Sequence, residues 1–158
     1  MGKPFFAAQD IPMDVNMDKV IDVDLDVNGE TVTVSSVLLG VPHTEVYIND
    51  ITKAPVTTQG PIIEKHDAFP SNTNVNYIDV VNNKHIKVRT WERGAGATLA
   101  CGTGSCASAV MSFEKGLTGR EVDVELYLGT LHISYLEDGT VLMTGPAEEV
   151  FEIELPID

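Results

Sequence analysis

Cysteine is scarce in this chain, two among 158 residues, and that excludes a disulfide-stapled secreted scaffold. If Cys101 and Cys106 share one helix, their Cα atoms stand about 8.6 Å apart, beyond disulfide reach without unwinding, so two reduced thiols are expected. Basic residues are also few: 10 Lys and Arg against 24 Asp and Glu leave a formal charge of −14. Such a surface repels phosphate backbones and anionic lipid, so neither nucleic acid nor membrane is expected as a partner. The longest uncharged stretch, Gly94–Phe113, is too rich in Gly, Ser and Thr for a membrane span and reads as protein interior. The N-terminal "MGKPFFAAQDIP" lacks the basic and apolar regions of a secretory signal, and a cytoplasmic location is expected. None of the four histidines forms an i, i+4 pair, so no metal centre is expected. Repeats, low-complexity tracts and linkers are absent, and one domain over residues 1–158 is expected.

What is present is mostly strand pattern. "IDVDLDV", Ile21–Val27, alternates apolar residue and Asp, the period of a strand with one buried face, so much of the acidity is a solvated sheet surface. Asn28-Gly29 then signals a hairpin, with Thr31–Leu39 as the returning strand. A turn at Val41-Pro42-His43 leads to a strand over Thr44–Ile48. Gly60-Pro61 is expected to open a short helix with proline at its first position. Val75–Val81 and His85–Trp91 form a hairpin, and Glu121–Leu128, Leu131–Leu136 and Val141–Thr144 repeat the pattern, with Asp138-Gly139 as a turn. One long helix is expected from about Gly104 to Lys115, closed by Gly116. It carries no charge before Glu114, so it should be enclosed by protein on all sides. The expected fold class is α+β: a strongly curved, mostly antiparallel, barrel-like sheet wrapped around one central buried helix.

Cys101 stands just ahead of that helix. A helix N-terminus carries unpaired N–H groups and a partial positive charge, which favour the thiolate, the form that acts as base or nucleophile. The small residues Gly102, Thr103 and Gly104 leave the amides approachable, and the same corner suits a carboxylate. Against this stands a small buried residue at a helix start. Cys106 lies inside the apolar run and is assigned to packing. Gly102-Thr-Gly104-Ser-Cys-Ala107 also fits a loose dinucleotide fingerprint with Asp123 downstream, but that motif needs a buried strand before it and a parallel βαβ unit around it.

The stretch "ERGAGATLACGTGSCAS" resembles the second active-site motif of the diaminopimelate epimerases, cofactor-independent isomerases of lysine and cell-wall synthesis. "MGKPFF…DIPM", "GVPHTEVYIND", "GPIIEKHDAFPSNTNVNYIDVV" and "VLMTGPAEEVFEIEL" resemble further segments of that family, in its order. The resemblance implies proton transfer between two cysteines on opposite faces of the substrate, interconverting LL- and meso-diaminopimelate. Under it Cys101 matches one catalytic thiol, His43 a histidine assisting the thiols, and Glu92 and Arg93 residues engaging the substrate's carboxylate and amino groups. Asn74 matches a side-chain substrate contact, and Gly102 and Thr103 the amides at the helix head. No cofactor is implied, and the ligand is a small diamino dicarboxylate.

Two departures from the family pattern bear on function. Where the family usually has asparagine in Gly-Asn-Pro-His, this chain has Val41, and a substrate polar group left without its partner commonly costs about 1–3 kcal/mol. Family enzymes are also about twice this length, with the other cysteine in a first half. Cys106 cannot substitute, since five helical positions turn it about 140° from Cys101. The chain is therefore expected to resemble the C-terminal half alone, to be inactive by itself, and to need an N-terminal half or self-association. A terminal strand at about 150–155 would pack with that half. Two other classes remain open at this level: a non-catalytic remnant or amino-acid-binding module, and a thiol redox protein. A related amino-acid racemase is a further alternative within the isomerases.

Overall fold

The computed structural model describes residues 3–98 and 102–145. Cys101 and the terminal strand expected at about 150–155 lie outside the described residues.

The first hairpin forms as its sequence dictates. Strand β1 (Val23–Val27) exposes Asp24 and Asp26 and buries Leu25 and Val27. Its turn puts Asn28 at φ 52° and Gly29 at φ 85°, the left-handed pair that matches strand twist, and the Gly29 N–H donates to Asp26 Oδ1 at 2.8 Å. Strand β2 (Glu30–Leu39) returns antiparallel. β3 (Val41–Tyr47) follows at once, turned by Gly40 at φ 76°. The expected turn at Val41-Pro42-His43 is therefore strand, and the reason is visible at Pro42. β3 begins to pair with the next strand only at His43, so the missing proline N–H interrupts no ladder on that side.

Helix α1 (Val56–Glu64) starts five residues before Pro61, which lies inside it. The Gln59 N–H to Pro55 carbonyl bond, 2.9 Å, already closes a turn before Gly60. The remaining strands are β4 (Asn74–Asn82), β5 (His85–Glu92), β6 (Gly96–Thr98), β7 (Glu121–Glu125), β8 (Thr130–Tyr135) and β9 (Val141–Thr144). β6 went unread in the sequence because Gly-Ala-Thr has little strand character of its own; it exists by pairing with β5.

The strands make one mixed sheet in the order β1-β2-β3-β4-β5-β7-β8-β9, with β6 beside β5. Only β3–β4 and β5–β7 are parallel. β1 and β9 are its two ends, and among the described residues no pairing joins them, so the sheet is open where a barrel-like closure was expected. Helix α2 (Gly102–Glu114) packs against β2, β3, β4, β5, β7, β8 and β9. Its residues from Gly104 to Ser112 are buried throughout, as the charge-free sequence requires. Enclosure forces its hydroxyls to find partners within the helix: Ser108 Oγ donates to the Gly104 carbonyl at 2.7 Å and Ser112 Oγ to that of Ser108 at 2.8 Å.

Two apolar clusters occupy opposite faces of the sheet. Ile78, Val88, Cys106, Val110 and Ile133 belong to the one around α2, and Ile11, Val34, Ile63, Phe69 and Tyr77 to the one beneath α1 and the N-terminal loop. Strand alternation thus decides which residues of β3, β4 and β5 look toward α2. No helix among the described residues is long and apolar enough to cross a membrane.

Candidate active site

Val41, His43, Glu45 and Tyr47 alternate along one face of β3, and the Tyr47 hydroxyl bonds Ser112 Oγ of α2 at 3.0 Å. This face therefore looks at the central helix. β4 runs parallel beside it, with His43 opposite Asn74 and Glu45 opposite Asn76. β5 is antiparallel to β4, with Thr90 opposite Asn76, and the alternation that turns Thr90 toward α2 turns Glu92 the same way. Trp91 points to the other side, where its Nε1–H donates to Glu64 Oε1 of α1 at 2.9 Å.

These registers assemble a buried polar group on the sheet face that looks at α2. Asn76 Nδ2 donates to His43 Nδ1 at 3.1 Å, and Asn76 Oδ1 accepts from Thr90 Oγ1 at 2.8 Å. An amide nitrogen only donates, so His43 Nδ1 accepts and the neutral ring carries its proton on Nε2. His43 is fully buried, and Nε2 has no hydrogen-bond partner among the described residues. Burial, reinforced by the positive charge of Arg93, pushes the His43 pKa down to about 3. The imidazole is thus a neutral N–H donor at physiological pH.

Asn74 and Arg93 act on one another first. Asn74 Oδ1 accepts the Arg93 backbone N–H at 2.6 Å, and the Arg93 guanidinium donates through Nη1 to the Ser71 carbonyl at 2.8 Å. Asn74, expected as a substrate contact, spends its carbonyl on pinning the turn that presents Glu92 and Arg93, both half-buried. From Thr98, paired with Thr90, only three residues separate the chain from Gly102, a span of at most roughly 14 Å. The first turn of α2, with Gly102 buried and Thr103 half-buried, therefore lies within that span of Thr98.

The structure places His43, Asn74 and Glu92 on the α2-facing side of adjacent strands, Arg93 in the turn after β5, and Gly102 and Thr103 in the first turn of α2, while Cys101 falls outside the described residues. Cys106 is fully buried in the apolar cluster, in keeping with packing. Val41, the departure from the family pattern, heads the His43 face and is half-buried. Asn76, Thr90 and Glu45 were not singled out from the sequence. The signal for Glu45 was the i, i+2 spacing from His43 in "HTE"; Asn76 and Thr90 needed the strand registers. Among the described residues, no group of three or more His, Cys, Asp and Glu side chains converges as a metal site would.

Comparison with known proteins identifies the family. A family model described as diaminopimelate epimerase matches residues 35–150. A diaminopimelate epimerase of Moorella thermoacetica is 46% identical over 159 aligned residues, covering 100% of this chain and 57% of that protein. That of Heliobacterium modesticaldum is 48% identical, covering 99% of this chain and 56% of that protein. The chain thus spans little more than half the length of these relatives. Among solved structures, a hydroxyproline epimerase from Agrobacterium vitis superposes with a TM-score of 0.57 at 13% identity, covering 82% of this chain and 43% of that one, a likeness of fold.

Proposed function

This chain belongs to the diaminopimelate epimerase family, and we propose that it forms the half of such an epimerase that supplies one of two proton-transferring thiols. Cys101 is that thiol. As thiolate it removes the α-proton of a diaminopimelate, or as thiol it returns one, while a second sulfur outside these 158 residues works on the opposite face. The reading needs the second sulfur because Cys106, the other cysteine here, is sealed in the apolar cluster around α2. Glu92 and Arg93 engage the substrate's amino and carboxylate groups. The amides of Gly102 and Thr103, at a helix N-terminus, hold the α-carboxylate and relieve charge developing at the α-carbon. His43, a neutral donor through Nε2, hydrogen-bonds the sulfur and favours its thiolate without taking the proton itself. No cofactor enters the reaction, and the protein works in the cytoplasm. The open sheet, curved about α2, is completed by the other half.

What supports this reading is the His43–Asn76–Thr90 network on the α2-facing side of the sheet, together with the Asn74–Arg93 turn. The test is solvent-deuterium incorporation at the α-carbon of LL-diaminopimelate, with and without an added N-terminal half that carries a cysteine. The pair should exchange and invert, the chain alone should not invert, and Cys101→Ser should lower the rate of the pair by about 10²–10⁴-fold. Inversion by the chain alone would refute the two-half reading.

A further inference from the structure

Strand β5 changes partner along one edge: His85–Lys87 pair with β7, and Thr90–Glu92 with β6. Val88 and Arg89 fall in the fork between the two. Val88 belongs to the cluster around α2, whereas Arg89, opposite Tyr77 in the β4–β5 register, lies on the other side of the sheet. A cavity of about 210 Å³ opens at the fork, set against the first residues of α1, Val56 and Thr57, and lined by Arg89, Thr98 and Tyr127. Neither Arg89 nor Tyr127 has a part in the proton-transfer reading, so the inference stands apart from it.

The Arg89 side chain is half-buried and its head is fixed. Nη1 donates to the Val88 carbonyl at 2.9 Å, and the guanidinium carbon stands over the Tyr127 ring, 3.8 Å from its centroid. These contacts hold the guanidinium plane while leaving most of its N–H donors unused. No carboxylate takes them: the chain has 24 Asp and Glu, yet among the described residues Arg89 forms no ion pair. Thr98 adds an orphan, a buried hydroxyl oxygen without a hydrogen-bond partner among the described residues. Helix α1 adds donors of its own. Pro55 at its N-cap offers no side-chain acceptor and its first turn holds no acidic residue, so its opening N–H groups are uncapped. Guanidinium, hydroxyl and helix head can all donate, and no acidic side chain among the described residues lines the cavity.

We propose that this cavity binds a small oxyanion, a phosphate or a carboxylate, taken by the Arg89 fork with the Thr98 hydroxyl and the head of α1 beside it. A fixed guanidinium matches the paired oxygens of either group, and a helix N-terminus favours the same sign of charge. The volume suits phosphate or a short carboxylic acid and falls below that of pockets for larger ligands. General attraction does not supply the affinity. A chain with a formal charge of −14 repels anions over its surface as a whole, so one that stays is held by these local donors.

The test is a titration of the nitrogen-15-labelled chain with inorganic phosphate and, separately, with succinate, at low and constant ionic strength. The signals followed are Arg89 Nε–H and the backbone amides of Thr57 and Thr98. Saturable shifts at these positions are expected, and the stronger of the two arms tells which oxyanion the cavity prefers. Arg89→Lys keeps the charge and loses the fork, and it should weaken binding by about tenfold or more. Thr98→Val keeps the shape without the hydroxyl and should weaken it as well. Absence of shifts with both anions, shifts that spread over the surface without saturating, or saturable binding that Arg89→Lys leaves unchanged would overturn the proposal. Should Arg89→Lys not fold, Thr98→Val decides in the same way.

Discussion

His43 and Glu45 sit two residues apart with opposite displacements, and both make folding sensitive to pH. The folded state keeps His43 neutral down to about pH 3, while an unfolded histidine takes a proton below its ordinary 6.5. Its contribution to stability is therefore complete above 6.5 and is lost as pH falls toward 3. Glu45 has the opposite sign: raised in the folded state, its contribution is complete below its ordinary 4.5 and is lost as pH rises through the folded value. His43→Gln should accordingly flatten the loss of stability on acidification, measured by urea unfolding between pH 6.5 and 4. Asn76 joins the two sides of the site, and Asn76→Ala should cost about 1–3 kcal/mol for each of the two buried partners it orphans, His43 Nδ1 and the Thr90 hydroxyl. A loss in urea unfolding well below that range would mean that water or rearrangement replaces the amide.

At the level of elements, the contact between α1 and β5 governs where Glu92 and Arg93 are presented. A Cβ on Gly60 would stand 2.7 Å from Trp91 Cβ and 2.8 Å from Trp91 Cγ, a rigid neighbour that cannot yield without moving β5. Gly60→Ala should therefore destabilise by about 1–3 kcal/mol and shift the fluorescence of Trp91, the one tryptophan in the chain. An unchanged melt and spectrum would show that α1 slides freely over β5. On the outer face of the β7–β8 hairpin, His132 donates from Nδ1 to Asp123 at 2.8 Å and from Nε2 to Glu121 at 2.6 Å. These bonds raise the histidine's pKa and lower that of Glu121. The clamp stabilises fully between the ordinary values of 4.5 and 6.5; it weakens as pH rises through the folded His132 value and as it falls through that of Glu121. The stability difference between wild type and His132→Gln should thus peak in that interval and shrink on both sides. Because these side chains are largely solvated, the difference should also fall with added salt.

For the molecule as a whole, patterning and assembly contributed differently to what could be read. Asn28-Gly29, the Asp–apolar alternation of β1 and the uncharged stretch around Ala107 each specify their element locally: a turn needs positive φ, a half-buried strand needs period two, and a helix without charge needs cover on every side. Those elements, the α+β class and the residues of the family motif were legible in the linear chain for that reason. The start of α1, the strand at His43 and the whole of β6 were not, because each is decided by a neighbour: the Pro55 carbonyl, the late start of the β3–β4 ladder, and the edge of β5. The same division runs through the site. Sequence by itself determined which residue types could do proton chemistry and that the sulfur of Cys101 precedes a helix of small residues. Only the tertiary structure decided that His43 is a neutral donor, that Asn74 serves the Arg93 turn, and that Glu45 is buried on the same strand face as His43. Tautomer, charge state and orientation depend on groups brought together by registers across three strands, and no local pattern encodes the parallel register of β3 on β4, whose partners His43 and Asn74 lie about thirty residues apart.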